Sequence, residues 1–167
     1  MALRNLRIVP DSILRKKAKH VRELDKRTIT LIKDMYDTMK NEEGIGLAAP
    51  QVGILKRIFV VGLNDHKYEF INPEIIEMSG EYLDVEGCLS IPGESGVVKR
   101  GDYIKVKATD IDGKDFVIEA RNMLARVIQH ENDHLNGVLF TDKLEDVDED
   151  FEREIFEEEE LISFKYI

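Results

Sequence analysis

One cysteine, Cys88, stands in a chain of 167 residues. That excludes an intrachain disulfide and suits a reducing compartment, so the cytosol is the expected location. No apolar run approaches the roughly 20 residues of a membrane span, and stretches such as Ile58 to Leu63 fall far short of it. The opening residues, Met1-Ala2-Leu3-Arg4-Asn5, lack the apolar core of a secretory signal. Positive charge is not in surplus either, since the formal net charge is -10. Nothing therefore resembles the basic footprint of a nucleic-acid binder. The acidity is local. Of 34 acidic residues, eleven lie between Glu145 and Glu160 beside a single base, Arg153, and the remaining 23 are matched by 23 bases. This run reads as a solvated helix face. Internal repeats and linkers are absent. With 43% hydrophobic and 35% charged residues, the chain reads as one packed domain over residues 1–167, of which 145–167 form an acidic C-terminal helix or tail.

Periodicity gives the elements. Asp25 to Asn41 reads as an amphipathic helix, with Ile32, Met35, Tyr36 and Met39 on one face. A shorter helix is expected from about Ser12 to Lys19. Arg57 to Leu63 reads as a strand with Lys67 to Ile71 returning beside it across Asn64-Asp65. Tyr103 to Asp110 alternates as a strand, Asp112-Gly113 marks a turn, and Phe116-Val117-Ile118 is its partner. The helical period returns from Asn122 to about Asn136, with Gly137 as its cap. Phe151, Ile155, Phe156 and Ile162 give the acidic tail a narrow apolar stripe. The expected class is α+β: mixed and antiparallel strands around a central helix, with one helix N-terminal and an acidic one C-terminal.

That central helix carries Gln129-His130-Glu131-Asn132-Asp133-His134-Leu135. Residues four apart lie about 40° apart around a helix axis, so His130 and His134 can converge on one metal. Glu131 lies close enough to reach a water there. This is the His-Glu-x-x-His pattern, two imidazole ligands and a carboxylate base that does not bind the metal. His20 and His66 have no such company and read as surface residues. A catalytic site needs a third ligand and an open position. A third histidine three residues past Gly137 is excluded, because Phe140 stands there. Glu154 or one of Glu157 to Glu160 is available, as in gluzincins. So is Cys88, in Glu86-Gly87-Cys88-Leu89-Ser90, where a glycine lets backbone approach closely. Gly44-Ile45-Gly46-Leu47-Ala48-Ala49-Pro50-Gln51 superficially matches a dinucleotide fingerprint. A helix precedes it, however, and Pro50 falls in the first turn of whatever follows, so it reads instead as extended backbone packed against a reactive centre.

Taken together, the segments 44–51, 86–90 and 129–135 resemble the three signature motifs of the peptide deformylases, in order and in register, within a likeness running from about Pro10 to Leu144. The resemblance implies that Cys88, His130 and His134 bind one metal ion with water in the fourth position, and that Glu131 is general base and then acid. It implies hydrolysis of the formyl group from N-formylmethionine at the start of new polypeptides, releasing formate. Gln51 and the Leu89 backbone N–H would stabilise the oxyanion. The peptide would add as a strand along Gly44, Ile45 and Gly46, with Glu86 and Gly87 also contributing to substrate binding. Ile45 and Val127 would line a methionine pocket with Arg126 at its rim. Glu86 is further expected to pair with Arg100 and hold the Cys88 strand. Ligand softness alone points to zinc, whereas the resemblance implies ferrous iron, replaceable by nickel, cobalt or zinc. Some bacterial deformylases dock on the ribosome through a basic C-terminal helix. Here Glu152 to Glu160 would repel RNA, so transient ribosome proximity is not expected to run through this tail. No membrane partner is expected. Two other readings of the same residues are a gluzincin-like metallopeptidase and a non-catalytic module holding structural zinc.

Overall fold

Asp25 accepts the Thr28 N–H at 2.8 Å, giving one of the free N–H donors of a helix start its missing acceptor, and α1 (Lys26–Asn41) follows. The computed structural model describes residues 2–162 and 167. Ile32, Met35 and Met39 of α1 are buried as the period requires. Six further elements form β1 (Gly46–Ala48), β2 (Ile58–Leu63), β3 (His66–Ser79), β4 (Tyr82–Cys88), β5 (Ile91–Arg100) and β6 (Tyr103–Thr109). Then come β7 (Asp115–Arg121), α2 (Asn122–Leu135) and α3 (Glu149–Ile162).

The strands make an antiparallel five-stranded sheet in the order β1-β2-β3-β6-β7 and a separate two-stranded sheet, β4-β5. Asn64 and Asp65 both take left-handed backbone, which is the twist a two-residue hairpin turn needs between β2 and β3. Strand alternation explains why β2 is apolar without a break. Phe59 and Val61 face the cluster that includes Val127 and Ile128 of α2, while Ile58 and Val60 join Ile32 and Met35 of α1 on the other face. The sheet is thus sandwiched, and α2 runs buried beneath it. This is the α+β single domain expected, with α2 as its central helix.

Two expectations change. The helix expected over Ser12 to Lys19 is only a 3-10 turn, Ser12–Arg15. Beyond it Lys16 is extended, and the Ala18 and Lys19 N–H groups donate to the Leu135 and Leu55 carbonyls instead of closing a helix. Tertiary hydrogen bonds outweigh local period there. The β4-β5 hairpin, which carries Cys88, was not apparent as a unit. The expected α1, β2, β6, β7 and α2 agree with the structure to within a few residues. Of the tail stripe, Ile155 packs with Val85 and Val97, and Phe151 lies against them. The side chains of Phe156 and Ile162 lie outside the described residues. Gly137 follows α2 with φ 72°, and a side chain there would sit 2.4 Å from the Arg15 carbonyl oxygen. Glycine is required twice over.

Candidate active site

The helical period of α2 turns His130, Glu131 and His134 toward the β4-β5 hairpin, and all three are buried. Cys88 ends β4 opposite them. One ligand atom from each of Cys88, His130 and His134 lies within 4.8 Å of the others, and Cys88 Sγ is 3.4 Å from His134 Nε2. His130 Nδ1 is bound to Glu86 Oε1 at 2.8 Å. That contact fixes the ring orientation and leaves Nε2 with its lone pair free to ligate. His130 Nε2, His134 Nδ1 and both Glu131 oxygens are buried without a hydrogen-bond partner among the described residues. Buried polar atoms are rarely left so, and a thiolate with two imidazoles is a fitting donor set for a divalent metal. The residues present therefore fit a metal ion.

Burial also sets the protonation chemistry. It pushes the Cys88 thiol up to about 12, with the nearby Glu131 charge adding to the effect, in the absence of a metal's positive charge. Burial raises the Glu131 carboxyl well above its ordinary range, helped by the neighbouring Glu86 charge. Burial and then His130 push His134 well below the usual histidine value, so it is neutral and ready to ligate. Burial alone would raise Glu86, but the hydrogen bonds from Arg100 and His130 outweigh it and hold that carboxyl far below its usual range.

Glu86 is the hub of a buried charged cluster. Arg100 grips it through Nε and a terminal nitrogen, both at 2.8 Å, and reaches Asp133 at 2.6 Å with its other arm. The Glu86–Arg100 pairing expected from sequence is present. Arg126 is placed differently from expectation. Its side chain is fully buried, donating to Glu86, to the Val98 carbonyl at 3.1 Å and to the Tyr82 carbonyl at 3.2 Å, with the Tyr82 ring below it. It does not sit at a pocket rim. Glu86, completely buried on these partners, is likewise committed to Arg100, Arg126 and His130, with nothing left over for a substrate.

The glycine-rich segment lies against the same centre. A side chain on Gly46 would come within 2.7 Å of Glu131 Oε1 and 2.9 Å of Val127 Cγ1, so only glycine lets β1 pass this close. Gly44 is packed on Leu89, and Ile45 shares a buried cluster with Val127. Gln51 is fully buried. Its Oε1 accepts the Ala48 N–H at 2.9 Å, which aims Nε2 at Ser90 Oγ, 3.1 Å away, and at Cys88 Sγ, 3.6 Å away. Ser90 was not singled out from the sequence, although its place two residues past the cysteine was the available signal. Gly87 precedes Cys88 in β4, and Leu89 opens the turn that follows it. His20 and His66 are exposed, as expected. Of the glutamates a gluzincin would need, Glu154 and Glu157 are exposed, and the side chains of 158–160 lie outside the described residues.

Known proteins agree with this arrangement. Residues 3–150 match the polypeptide deformylase family. Peptide deformylase 1 of Clostridium acetobutylicum is 56% identical over 144 residues, covering 86% of this chain and 96% of its own. Among solved structures, the peptide deformylase of Thermotoga maritima superposes with a TM-score of 0.85 at 40% identity, covering 87% of this chain and all of the other. A Met-Ala-Ser-bound class I type b peptide deformylase from Acinetobacter baumannii superposes at 0.82 with 33% identity, covering 86% of this chain and 99% of that one. No helix among the described residues is long and apolar enough to cross a membrane. On sequence, fold and metal-ligand geometry together, this chain belongs to the polypeptide deformylases, metal-dependent hydrolases that remove the N-terminal formyl group from nascent peptides.

Proposed function

We propose that Glu131 is the general base and acid of deformylation in this chain, working beside a ferrous ion held by Cys88, His130 and His134. The observation that carries this reading is the pair of buried Glu131 oxygens, without a hydrogen-bond partner among the described residues, beside three converging ligand atoms. When bound, the metal would supply Lewis acidity and bring the pKa of water toward neutrality. Glu131, whose carboxyl burial raises, accepts the proton of the attacking water and returns it to the departing amine. Gln51 Nε2 and the Leu89 N–H donate to the formyl oxygen as it gains negative charge. Gly44, Ile45, Gly46 and Gly87 offer main chain for an added peptide strand, which tolerates varied sequence after methionine. Ile45 and Val127 take the methionine side chain. Glu86 and Arg126 act from behind, by orienting His130 and neutralising the buried charge.

The test is formate release from a short N-formylmethionyl peptide by iron- or nickel-loaded protein, prepared anaerobically. Glu131→Ala should keep its metal and lose turnover. An active Glu131→Ala protein would remove the residue from the chemistry. A ferrous centre beside a thiolate is oxidation-sensitive. Equal activity half-lives in air and under argon would therefore count against iron. The enzyme is taken to work in the bacterial cytoplasm without anchoring on ribosomal RNA through its acidic tail. Salt-sensitive ribosome co-sedimentation that is lost with residues 148–167 would overturn that part.

A further inference from the structure

The main-chain groups on either side of Cys88 already have a partner from the far end of the chain. The Ile167 N–H donates to the Gly87 carbonyl at 3.3 Å, and the Leu89 N–H donates to the Ile167 carbonyl at 3.3 Å. One residue bridging both neighbours of another in this way is the hydrogen-bond pattern of a parallel strand. The Ile167 side chain is 2% exposed and belongs to the same apolar cluster as Ile45, Val127 and Ile128. A single residue thus takes main-chain contacts on the Cys88 strand and apolar burial beside β1 and α2. These are the two kinds of contact assigned above to the methionyl peptide, and the Leu89 N–H is the donor assigned to the formyl oxygen.

We propose that Ile167 is an intramolecular occupant of the peptide slot, so that the enzyme competes with itself and each incoming formyl-peptide must displace this residue. The inference rests on the substrate-binding reading given under the proposed function. The contact is built to be displaceable. Both hydrogen bonds, at 3.3 Å, are at the long end of the N–H···O range. Tethering compensates for that weakness. Ile155 holds α3 against Val85 and Val97 of the same hairpin, and α3 ends at Ile162, so Ile167 is presented at high effective concentration. A slot occupied for most of the time lowers apparent peptide affinity by the fraction left open. The step after that displacement is unchanged, so KM rises while kcat stays level.

The test uses the zinc-loaded chain of residues 1–167 and two variants, Ile167→Asp and Ile167→Met. An aspartate carries charge into the apolar cluster and expels the residue, whereas methionine retains an apolar fit. Two quantities are read: hydrogen exchange of the Leu89 amide, and the Kd for the tripeptide Met-Ala-Ser. Ile167→Asp should exchange Leu89 faster and bind Met-Ala-Ser about threefold tighter or more, and Ile167→Met should behave like the parent. Equal Leu89 exchange in parent and Ile167→Asp would overturn the contact. Equal Met-Ala-Ser affinity would overturn self-competition. If neither protein bound the tripeptide, the substrate reading itself would fall, and self-competition with it. Should Ile167→Asp not fold by circular dichroism, Ile167→Gly, which removes the side chain alone, takes its place in the same comparison.

Discussion

Replacing Arg126 by methionine separates two accounts of this residue, one at the substrate and one in the frame. The guanidinium is fully buried and serves Glu86, the Val98 and Tyr82 carbonyls and the Tyr82 hydroxyl, which lies 3.3 Å from Nε. With Arg100 it balances the two acids of the cluster, Glu86 and Asp133. Arg126→Met removes one of the two guanidinium partners of Glu86 and leaves its charge beside His130 less compensated, while Lys143 still pairs with Asp133 at 3.2 Å. Removing one partner of a buried pair costs roughly 3–5 kcal/mol, and methionine packing returns part of that. A net loss of about 3 kcal/mol lowers the melting temperature by roughly 6–12 °C for a domain of this length. Urea unfolding and calorimetry of the metal-free protein read both quantities. Arg126→Lys should not rescue, because an ammonium cannot reproduce the fork that reaches Glu86 and two carbonyls at once. Pairing Arg126→Met with Glu86→Gln removes both sides of the contact and should recover more than about 1 kcal/mol of the summed single losses. A stability loss below about 1 kcal/mol, together with a raised KM for formyl-peptide, would refute the framework role and put Arg126 at the substrate.

Gly46→Ala forces a methyl group onto Glu131 Oε1 and Val127, so it should cost roughly 1–3 kcal/mol in stability and lower kcat sharply. Full retention of both would mean that β1 does not pack on the reacting centre. Gln51→Met should keep its metal, by elemental analysis, and lose about 10²–10³ in kcat/KM, the usual cost of one oxyanion donor; a loss below tenfold would assign the donor elsewhere. Glu86 gives a pH signature. Its folded carboxyl lies below its ordinary value of 4.5, so the stabilisation is fully present above that pH and drains away as pH falls toward the folded value. Glu86→Gln should therefore flatten the acid limb of metal-free stability below about pH 4.5, and an unaltered slope would contradict the linkage.

The sequence spoke clearly where a short local pattern carries the information. α2 reads as a helix because Val127, Ile128, His130, Glu131 and His134 follow its period, and the same period brings the two histidines together. β6 and β7 read as a hairpin because Ile104, Val106 and Ala108 alternate with charged residues around an Asp-Gly turn. The β4-β5 hairpin was harder to see. Gly87, Gly93, Gly96 and Pro92 weaken its strand signal, and its inward positions include Glu86 and Arg100, which look like surface residues until their partners are known. Arg126 was misplaced for the same reason. A charged residue one turn before a metal ligand suggests a rim, and only the tertiary fold reveals a carboxylate 40 positions earlier that takes it into the interior. The short helix expected after Pro10 failed because its backbone donors find carbonyls in distant segments.

The ligand atoms belong to two separately built pieces: Cys88 closes the small hairpin sheet, while the histidines ride on the helix under the large one. An ion held between them is a cross-link between the two sheets, and its binding energy becomes docking energy for the hairpin. At a free metal concentration a thousandfold above Kd, that link is worth about 4 kcal/mol to the assembled state. A chain whose hairpin has not seated offers only a histidine pair and holds the ion weakly. Metal retention in this protein would therefore report whether the hairpin has seated against the helix, since the third ligand arrives only with it.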